Sequence, residues 1–453
     1  MKTIAAIATA QGLAGIGVIR ISGDKSKEIA GKIFKSVSGR ALSDMKGYTA
    51  SYGKIIENNE VIDDAVALVF NAPHNNTGED VVEISCHSGM YVMKMVLRAV
   101  LNAGAVPAEP GEFTKRAFLN SKMTLTQAES VMDVISAKGK AAARIATSLR
   151  EGALYKKIRI IIDELTKYAA HLSAWADYPE DDIPQVEDSV LLRNLEAVRL
   201  KLENIIKNYD AGAIIKEGVN TVIAGKPNVG KSTIMNVLSG YEKSIVTEIP
   251  GTTRDIVEEV VCIGDIVLKL SDTAGIRNTE DIIEEIGVNK AKNKIKSSSL
   301  ILAVFDSSRE LCDDDKILLE DIKDMPAVAV INKTDLESKL NIDYIKSMIK
   351  NIVYISAKNG NGIKDLENEI KNVLSINNID PNEGIISNER QFNAASKALA
   401  CINEAITSLK NKMTLDAITI CIEEAIQNLL EPTGERVTDA VIDQVFTSFC
   451  VGK

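Results

Sequence analysis

Apolar and polar positions follow two different rhythms along this chain. Residues 3–8, 18–21, 65–70 and 81–85 are short runs rich in branched side chains. Clusters such as residues 71–78 separate them, and they predict strands of a mixed α/β block, with residues 92–101 as a packed helix. After Asn120 the texture changes. Thr126-x-x-Glu129 has capping-box spacing ahead of the apolar series Val131, Val134 and Ile135. Residues 153–211 contain no glycine, and their only prolines are Pro179 and Pro184. This predicts long helices broken at 177–182. Glycine returns at Gly218, and β-type runs alternate with helical ones to about residue 375. Residues 377–384 have linker composition. Beyond them Phe392, Ala395, Leu399, Ile402, Ile406 and Leu409 keep helical spacing.

Two helical blocks thus flank a second α/β block, as expected of one helical domain interrupted by an insertion. The predicted division is 1–118 α/β, 119–215 helical, 216–376 inserted α/β and 377–453 helical. The opening M-K-T-I-A-A-I-A-T-A resembles a signal peptide, but its apolar core (residues 4–8) is short, and Gly12, Gly15 and Gly17 follow at once. A strand is the better reading.

Composition narrows the function classes. There are 53 Lys+Arg against 63 Asp+Glu, a formal net charge of −10. With 45% hydrophobic and 26% charged residues, neither overall disorder nor a general basic coat is expected. Aromatics are 4%, with Trp175 the single tryptophan, so stacking platforms for single-stranded RNA are scarce. No apolar run approaches the ~20 residues of a membrane span. Six cysteines are scattered singly without a C-x-x-C, which argues against zinc and disulfides and for a cytoplasmic, reducing location.

The chemistry concentrates in the inserted block. An apolar run, residues 221–224, leads into Gly225-Lys226-Pro227-Asn228-Val229-Gly230-Lys231-Ser232, followed by Thr233 and an apolar helix. In such a loop backbone N–H groups cradle phosphates, Lys231 reaches the β- and γ-phosphates, and the Ser232 hydroxyl takes Mg²⁺. Four segments follow in order. Gly251-Thr252-Thr253 offers Thr253 as a second Mg²⁺ ligand. Asp272-Thr273-Ala274-Gly275 ends a strand, with Asp272 near Mg²⁺ and the Gly275 amide at the γ-phosphate. Asn332-Lys333-Thr334-Asp335 supplies a carboxylate that accepts from guanine N1–H and N2 amino donors. Ser356-Ala357-Lys358 offers a backbone amide to guanine O6. Together they specify a GTP-hydrolysing site.

One position is anomalous. Ile276 stands where many small GTPases place a water-orienting glutamine, and an arginine finger is worth roughly 10³–10⁵ in rate. Arg254 and Arg277 are candidate charges in cis, with structural roles the simpler account.

The whole chain resembles the MnmE (TrmE) tRNA-modification GTPases. The resemblance is carried by I-G-V-I-R-I-S-G at 16–23, T-G-E-D-V-V-E at 77–83, P-G-E-F-T-K-R-A-F-L-N-S-K at 110–122 and the terminal F-C-V-G-K. It implies an N-terminal domain that binds folate, similar in fold to an aminomethyltransferase, then a helical domain and a Ras-like doubly wound P-loop domain. It implies C5 carboxymethylaminomethyl or aminomethyl modification of the tRNA wobble uridine. A reduced folate, 5,10-methylene- or 5-formyl-tetrahydrofolate, would supply the carbon. The implied partners are a second copy, joined through the N-terminal domain, and the FAD-dependent MnmG (GidA), in a heterotetramer.

The same resemblance resolves the Ile276 anomaly by implying K⁺ at Asn228, Thr247, Ile249 and Thr252 in place of an arginine finger. It adds Glu248, Pro250 and Gly251 to the GTP-binding segment and gives Glu284 the water-orienting role, with Glu285 its neighbour and competitor. Arg20, Glu83, Lys122 and Lys453 match folate-ligand positions. Cys450 is a candidate catalytic thiol. Its plainer reading is a buried residue on a helix whose apolar face is Val441, Ile442, Val445, Phe446 and Phe449. Cys86 and His87 are adjacent, but neighbouring strand residues face opposite ways, so packing is expected there.

Two other readings compete. A ribosome-assembly switch would use the flanking domains only for binding and would need no folate constellation. A folate-dependent transferase with a vestigial GTPase would not keep five intact nucleotide segments. Finally, residues 113–160 carry ten Lys+Arg against three acids. This basic seam inside an acidic chain is a candidate contact for tRNA phosphates, with Lys156 and Lys157 the positions to reverse.

Overall fold

The structure is a computed structural model that describes the chain except residues 11, 178–186, 242–258, 265, 273–294, 378, 448 and 453. Of Asp177, Tyr241, Glu259, Ser271 and Asp272 it describes the backbone only. Thr247 to Thr253, Arg254, Thr273, Ala274, Gly275, Ile276, Arg277, Glu284, Glu285 and Lys453 therefore lie outside the described residues, as does the Asp272 side chain.

The chain divides into two compact units, Met1–Met132 with Leu429–Lys453, and Asp133–Asn428. The first holds a seven-stranded sheet in the order β3-β4-β5-β6-β2-β1-β7. Its strands are β1 (Ile4–Ile7), β2 (Gly17–Ser22), β3 (Phe34–Ser36), β4 (Thr49–Glu57), β5 (Glu60–Phe70), β6 (Val81–Cys86) and β7 (Val106–Pro107). Helices α1 (Ser26–Ile33) and α2 (Met90–Asn102) contribute Ile29, Ala30, Met93 and Val96 to a core with Ile19, Ile21, Ile84 and Val82. The leader-like opening is thus a strand, paired with β2 and β7. Strand β4 escaped the hydrophobic pattern because its Thr-Ala-Ser-Tyr stretch alternates half-buried and exposed positions and, with the buried Gly53 after it, offers little apolar surface.

Helices α3 (Glu112–Leu119) and α4 (Leu125–Ser136) follow β7. The expected cap at Thr126 is corrected. Thr124 Oγ1 accepts from the Gln127 amide at 3.3 Å while Gln127 Oε1 accepts from the Thr124 amide at 2.9 Å. That is a reciprocal capping box two residues earlier. Thr126 is buried instead and donates to Pro432 O at 2.7 Å.

In the second unit α5 (Lys140–Arg150), α6 (Ala153–Asp177), α7 (Asp188–Ile206) and α8 (Tyr209–Glu217) precede a six-stranded sheet. The described elements are β8 (Val219–Ala224), α9 (Lys231–Tyr241), β9 (Glu259–Ile263), β10 (Ile266–Asp272), β11 (Leu300–Asp306), α10 (Asp313–Ile322), β12 (Ala327–Asn332), α11 (Ile342–Met348), β13 (Ile352–Tyr354) and α12 (Ile363–Val373). The order is β13-β12-β11-β8-β10-β9, with only β9 antiparallel to its neighbour. Every residue of β11 and β12 is buried, as a parallel sheet covered on both faces requires. The strand order reverses around β8, and in such sheets ligands sit at that switch point, beyond the strand C-termini.

Helix α13 (Glu389–Lys410), which follows the inserted sheet in the chain, packs along α7, and helix α14 (Leu415–Thr433) runs past the second unit's last residue, Asn428. Tyr209 stacks on Phe392 with ring centroids 4.2 Å apart. The final helix, α15 (Asp439–Thr447), belongs to the first unit, where Ile442, Phe446 and Phe449 pack with Leu125 and Ala128. Among the described residues no helix is long and apolar enough to cross a membrane. All six cysteines are free.

Candidate functional site

The C-terminal ends of β8, β12 and β13 bring three of the five nucleotide segments together. Gly225 has φ +144° and lies against Val304 O, and Gly230 has φ +102° with Asn332 Nδ2 where a Cβ would stand. Only glycine serves at both points. Val229 between them is buried, and Asn228 is exposed at φ 67°. Helix α9 starts at Lys231, so its first-turn amides face the loop's hollow. Lys231 Nζ donates to Gly225 O at 2.6 Å and Lys226 O at 2.7 Å, which folds the ammonium over that hollow. Ser232 and Thr233 are exposed beside it. Lys226 points elsewhere, to Cys312 and, at 3.4 Å, to Asp314.

Asn332 is the keystone of this arrangement and is only 2% exposed. Its Nδ2 donates to Val229 O at 2.9 Å, and its Oδ1 accepts from the Ala357 amide at 3.0 Å. Lys333, at φ 64°, donates to Asn228 O at 2.8 Å and to Asp306 Oδ2 at 2.6 Å. Asp306 was not singled out from sequence. Its signal is its place at the end of a fully apolar strand, where a lone carboxylate needs a partner. Burial pushes its carboxyl up, but hydrogen bonds from Lys333 and Ser308 outweigh that and hold it below the usual carboxylate range. Asn332→Ala is expected to strand a buried carbonyl and a buried amide, at about 1–3 kcal/mol each. Urea unfolding followed by far-UV circular dichroism should shift to a lower midpoint, and an unchanged midpoint would refute the keystone role.

Asp335 is exposed beyond Thr334. The Ser356 hydroxyl donates to its Oδ1 at 2.7 Å. That bond first, then its own amide, with smaller help from Lys358 and Lys333, holds the Asp335 carboxyl below its ordinary value. At neutral pH it is therefore an acceptor only.

In the first unit the four distant strings meet. Arg20 and Glu83 are cross-strand partners in β2 and β6. Arg20 Nε donates to Glu83 Oε1 at 2.7 Å, and Arg20 also reaches Gly452 O at 3.4 Å and lies over the Phe113 ring. The terminal string is drawn in by the Pro110–Val451 bridge and by the Gly111 amide, which donates to Cys450 O at 3.3 Å. Asn120 Nδ2 donates to Thr77 O at 2.7 Å, and Lys122, exposed, passes over Gly78. Arg116, 4% exposed, donates to both carboxylate oxygens of Glu79 and to Glu112 and Lys2 O. Sequence reading missed this Arg116–Glu79 tie, although both residues lie inside the strings.

Two thiol expectations are settled. The helical, buried reading of Cys450 is corrected. Helix α15 ends at Thr447, Phe449 takes the buried place, and Cys450 is exposed on the extended tail. Cys86 is a core residue whose thiol burial pushes up to about 11. His87 is exposed rather than packed and pairs with Asp63 at 2.8 Å, which raises its pKa.

A phosphate-cradling loop at the switch point of this sheet, braced by Asn332 and Lys333, defines a P-loop GTPase. Residues 3–122 match the family described as GTP-binding protein TrmE N-terminus, and residues 125–450 match the MnmE helical domain. The tRNA modification GTPase MnmE of Clostridioides difficile (strain 630) is 41% identical over 454 residues, spanning 100% of this chain and 99% of that one. That of Acetivibrio thermocellus is 42% identical over 456 residues, with the same coverage. Among solved structures, the G domain of the T. maritima FeoB iron transporter covers 34% of this chain and 98% of its own. It is 25% identical with a TM-score of 0.27, a likeness that adds nothing to the assignment. The chain belongs to the MnmE (TrmE) family.

Proposed function

We propose that this chain hydrolyses GTP between the loop after β8 and Asp335, and that the cycle serves C5 modification of the tRNA wobble uridine. The observation that carries the nucleotide reading is the double brace by Asn332 and Lys333, which joins the phosphate loop to the base-recognition segments. The tRNA reading draws on the relatives' name, tRNA modification GTPase.

In this reading Asn228 to Thr233 bind the phosphates, and Asp335 takes the guanine N1–H and N2 donors. Guanine O6 shares the Ala357 amide with Asn332, and Lys358 flanks it. Mg²⁺ fits Ser232, whose exposed hydroxyl sits in the first turn of α9, and Thr253 is its proposed second ligand. K⁺ fits Asn228, exposed on a loop whose carbonyl Lys333 already fixes. When bound, these cations supply positive charge to the phosphates. Asp272 enters through its Asp-Thr-Ala-Gly motif, and the K⁺ roles of Thr247, Ile249 and Thr252 and the water-orienting role of Glu284 enter through the family resemblance alone.

Folate is assigned to residues 1–118, with Arg20 and Glu83 as the paired charges beside Gly452, and with Lys122 and Lys453 completing the set. A guanidinium suits the folate carboxylates, and a carboxylate suits the pterin donors. Dimerisation through the same domain and partnership with the FAD-dependent MnmG belong to the proposal.

GTP turnover is expected to be faster in KCl than in NaCl, and wobble-uridine modification should disappear from the tRNA of cells lacking the protein. Equal turnover would overturn the role of K⁺. Unchanged nucleosides by mass spectrometry would overturn the tRNA reading.

A further inference from the structure

The structure sorts the basic seam. Lys115 pairs with Asp443, and Arg116 is buried among acids. In the second unit Lys157 pairs with Glu383 at 3.5 Å and Arg159 with Asp163 at 3.1 Å. Lys140, Arg144 and Lys156 differ. All three are exposed, none makes an ion pair among the described residues, and all line one cavity of about 530 Å³.

The cavity is built on a fixed frame. Lys140 and Arg144 stand one turn apart on α5, on one face. Lys156 comes from the first turn of α6, a 25-residue helix whose positive dipole end lies there. Between them Ala143 and Ala153 keep the floor low. The opposite wall is the segment read from composition as a linker, which is in fact docked. Ser148 Oγ donates to Asn382 O at 2.8 Å, Glu383 holds Lys157, and Gly384 packs so tightly on the start of α6 that no Cβ fits. Glu151 is the single acid in the lining, so a net positive charge remains.

No aromatic or long apolar side chain lines this cavity, so it lacks the anchors on which protein interfaces rely. Unpaired Lys and Arg over an open floor suit phosphodiester oxygens instead. We propose that the α5–α6 cavity binds the sugar–phosphate backbone of the RNA substrate, with phosphates held by Lys140, Arg144 and Lys156. The inference rests on the tRNA reading above, and it moves the contact away from Lys157, whose charge is already paired.

The test is tRNA binding by the full chain, followed by fluorescence anisotropy over a series of KCl concentrations. Combining Lys140→Ala, Arg144→Ala and Lys156→Ala should lower the slope of log affinity against log salt by about 2–3 and weaken binding roughly 100-fold near 0.1 M salt. Lys140→Arg with Lys156→Arg should retain the slope, and GTP turnover without tRNA should be unchanged in both variants. A triple variant with wild-type affinity and slope overturns the site. So does one that loses only its association with the flavoprotein, which would mark a protein-binding face. Neither result bears on the tRNA reading, which the nucleoside measurement decides separately.

Discussion

Asp335→Asn is expected to lower GTP affinity by about 10²–10⁴-fold, because two hydrogen bonds to a charged acceptor, at roughly 1.5–3 kcal/mol each, are lost or weakened. The carboxylate offers only acceptors, and Ser356 keeps it so by donating to Oδ1. An asparagine amide would turn one acceptor into a donor and set it against the guanine N2 amino group. The same change suits a base with a carbonyl at C2, so xanthosine triphosphate should gain what GTP loses. The fold is expected to hold, since the Ser356 hydroxyl can donate equally to an amide oxygen. Competition titrations with the two triphosphates decide the matter, and unchanged GTP preference would remove Asp335 from base recognition.

The second large effect belongs to Lys231. Its ammonium is held by two loop carbonyls, Gly225 O and Lys226 O, within reach of the hollow that the α9 amides face. Lys231→Ala should lower kcat/KM for GTP by about 10²–10³ or more, the usual cost of deleting one preorganised donor to developing negative charge. Stability should change little, because Gly225 and Lys226 are only half-buried and water can take over their carbonyls. The two readouts separate the roles. A collapse of thermal stability would make Lys231 a structural brace, and near-normal turnover would exclude it from phosphate stabilisation.

Much of the site is legible in one dimension because its chemistry is local. A loop that wraps phosphates needs glycines at fixed offsets from a lysine and a hydroxyl. A strand end followed by Asn-Lys-x-Asp delivers a carboxylate to a base edge. The long helices α6 and α13 are equally plain from their periodicity and from the lack of glycine. What sequence spacing did not reveal are the partners of those residues. Asp306 is 26 residues upstream of Asn332 and carries no motif of its own, yet it positions Lys333. The Thr124-x-x-Gln127 capping box was hidden by the overlapping Thr126-x-x-Glu129 pattern, because either spacing satisfies the rule and the hydrogen bond to Pro432 O shows which threonine is turned inward.

The charge pattern divides in the same way. Composition alone determines that the chain is acidic overall and that a local excess of cations lies between residues 113 and 160. Only the tertiary structure decides which of those cations are free, since an ion pair depends on an acid delivered from elsewhere: Asp443 for Lys115, Glu79 for Arg116, Glu383 for Lys157. Sequence determined the nucleotide loop, the Asn-Lys-x-Asp segment with its exposed carboxylate and the interrupted helical pattern, because each is written in neighbouring residues. Folding decided the brace through Asn332, the meeting of the four N-terminal and C-terminal strings, and the unpaired trio around the α5–α6 cavity, because each depends on residues that only a closed chain brings within hydrogen-bond or ion-pair distance.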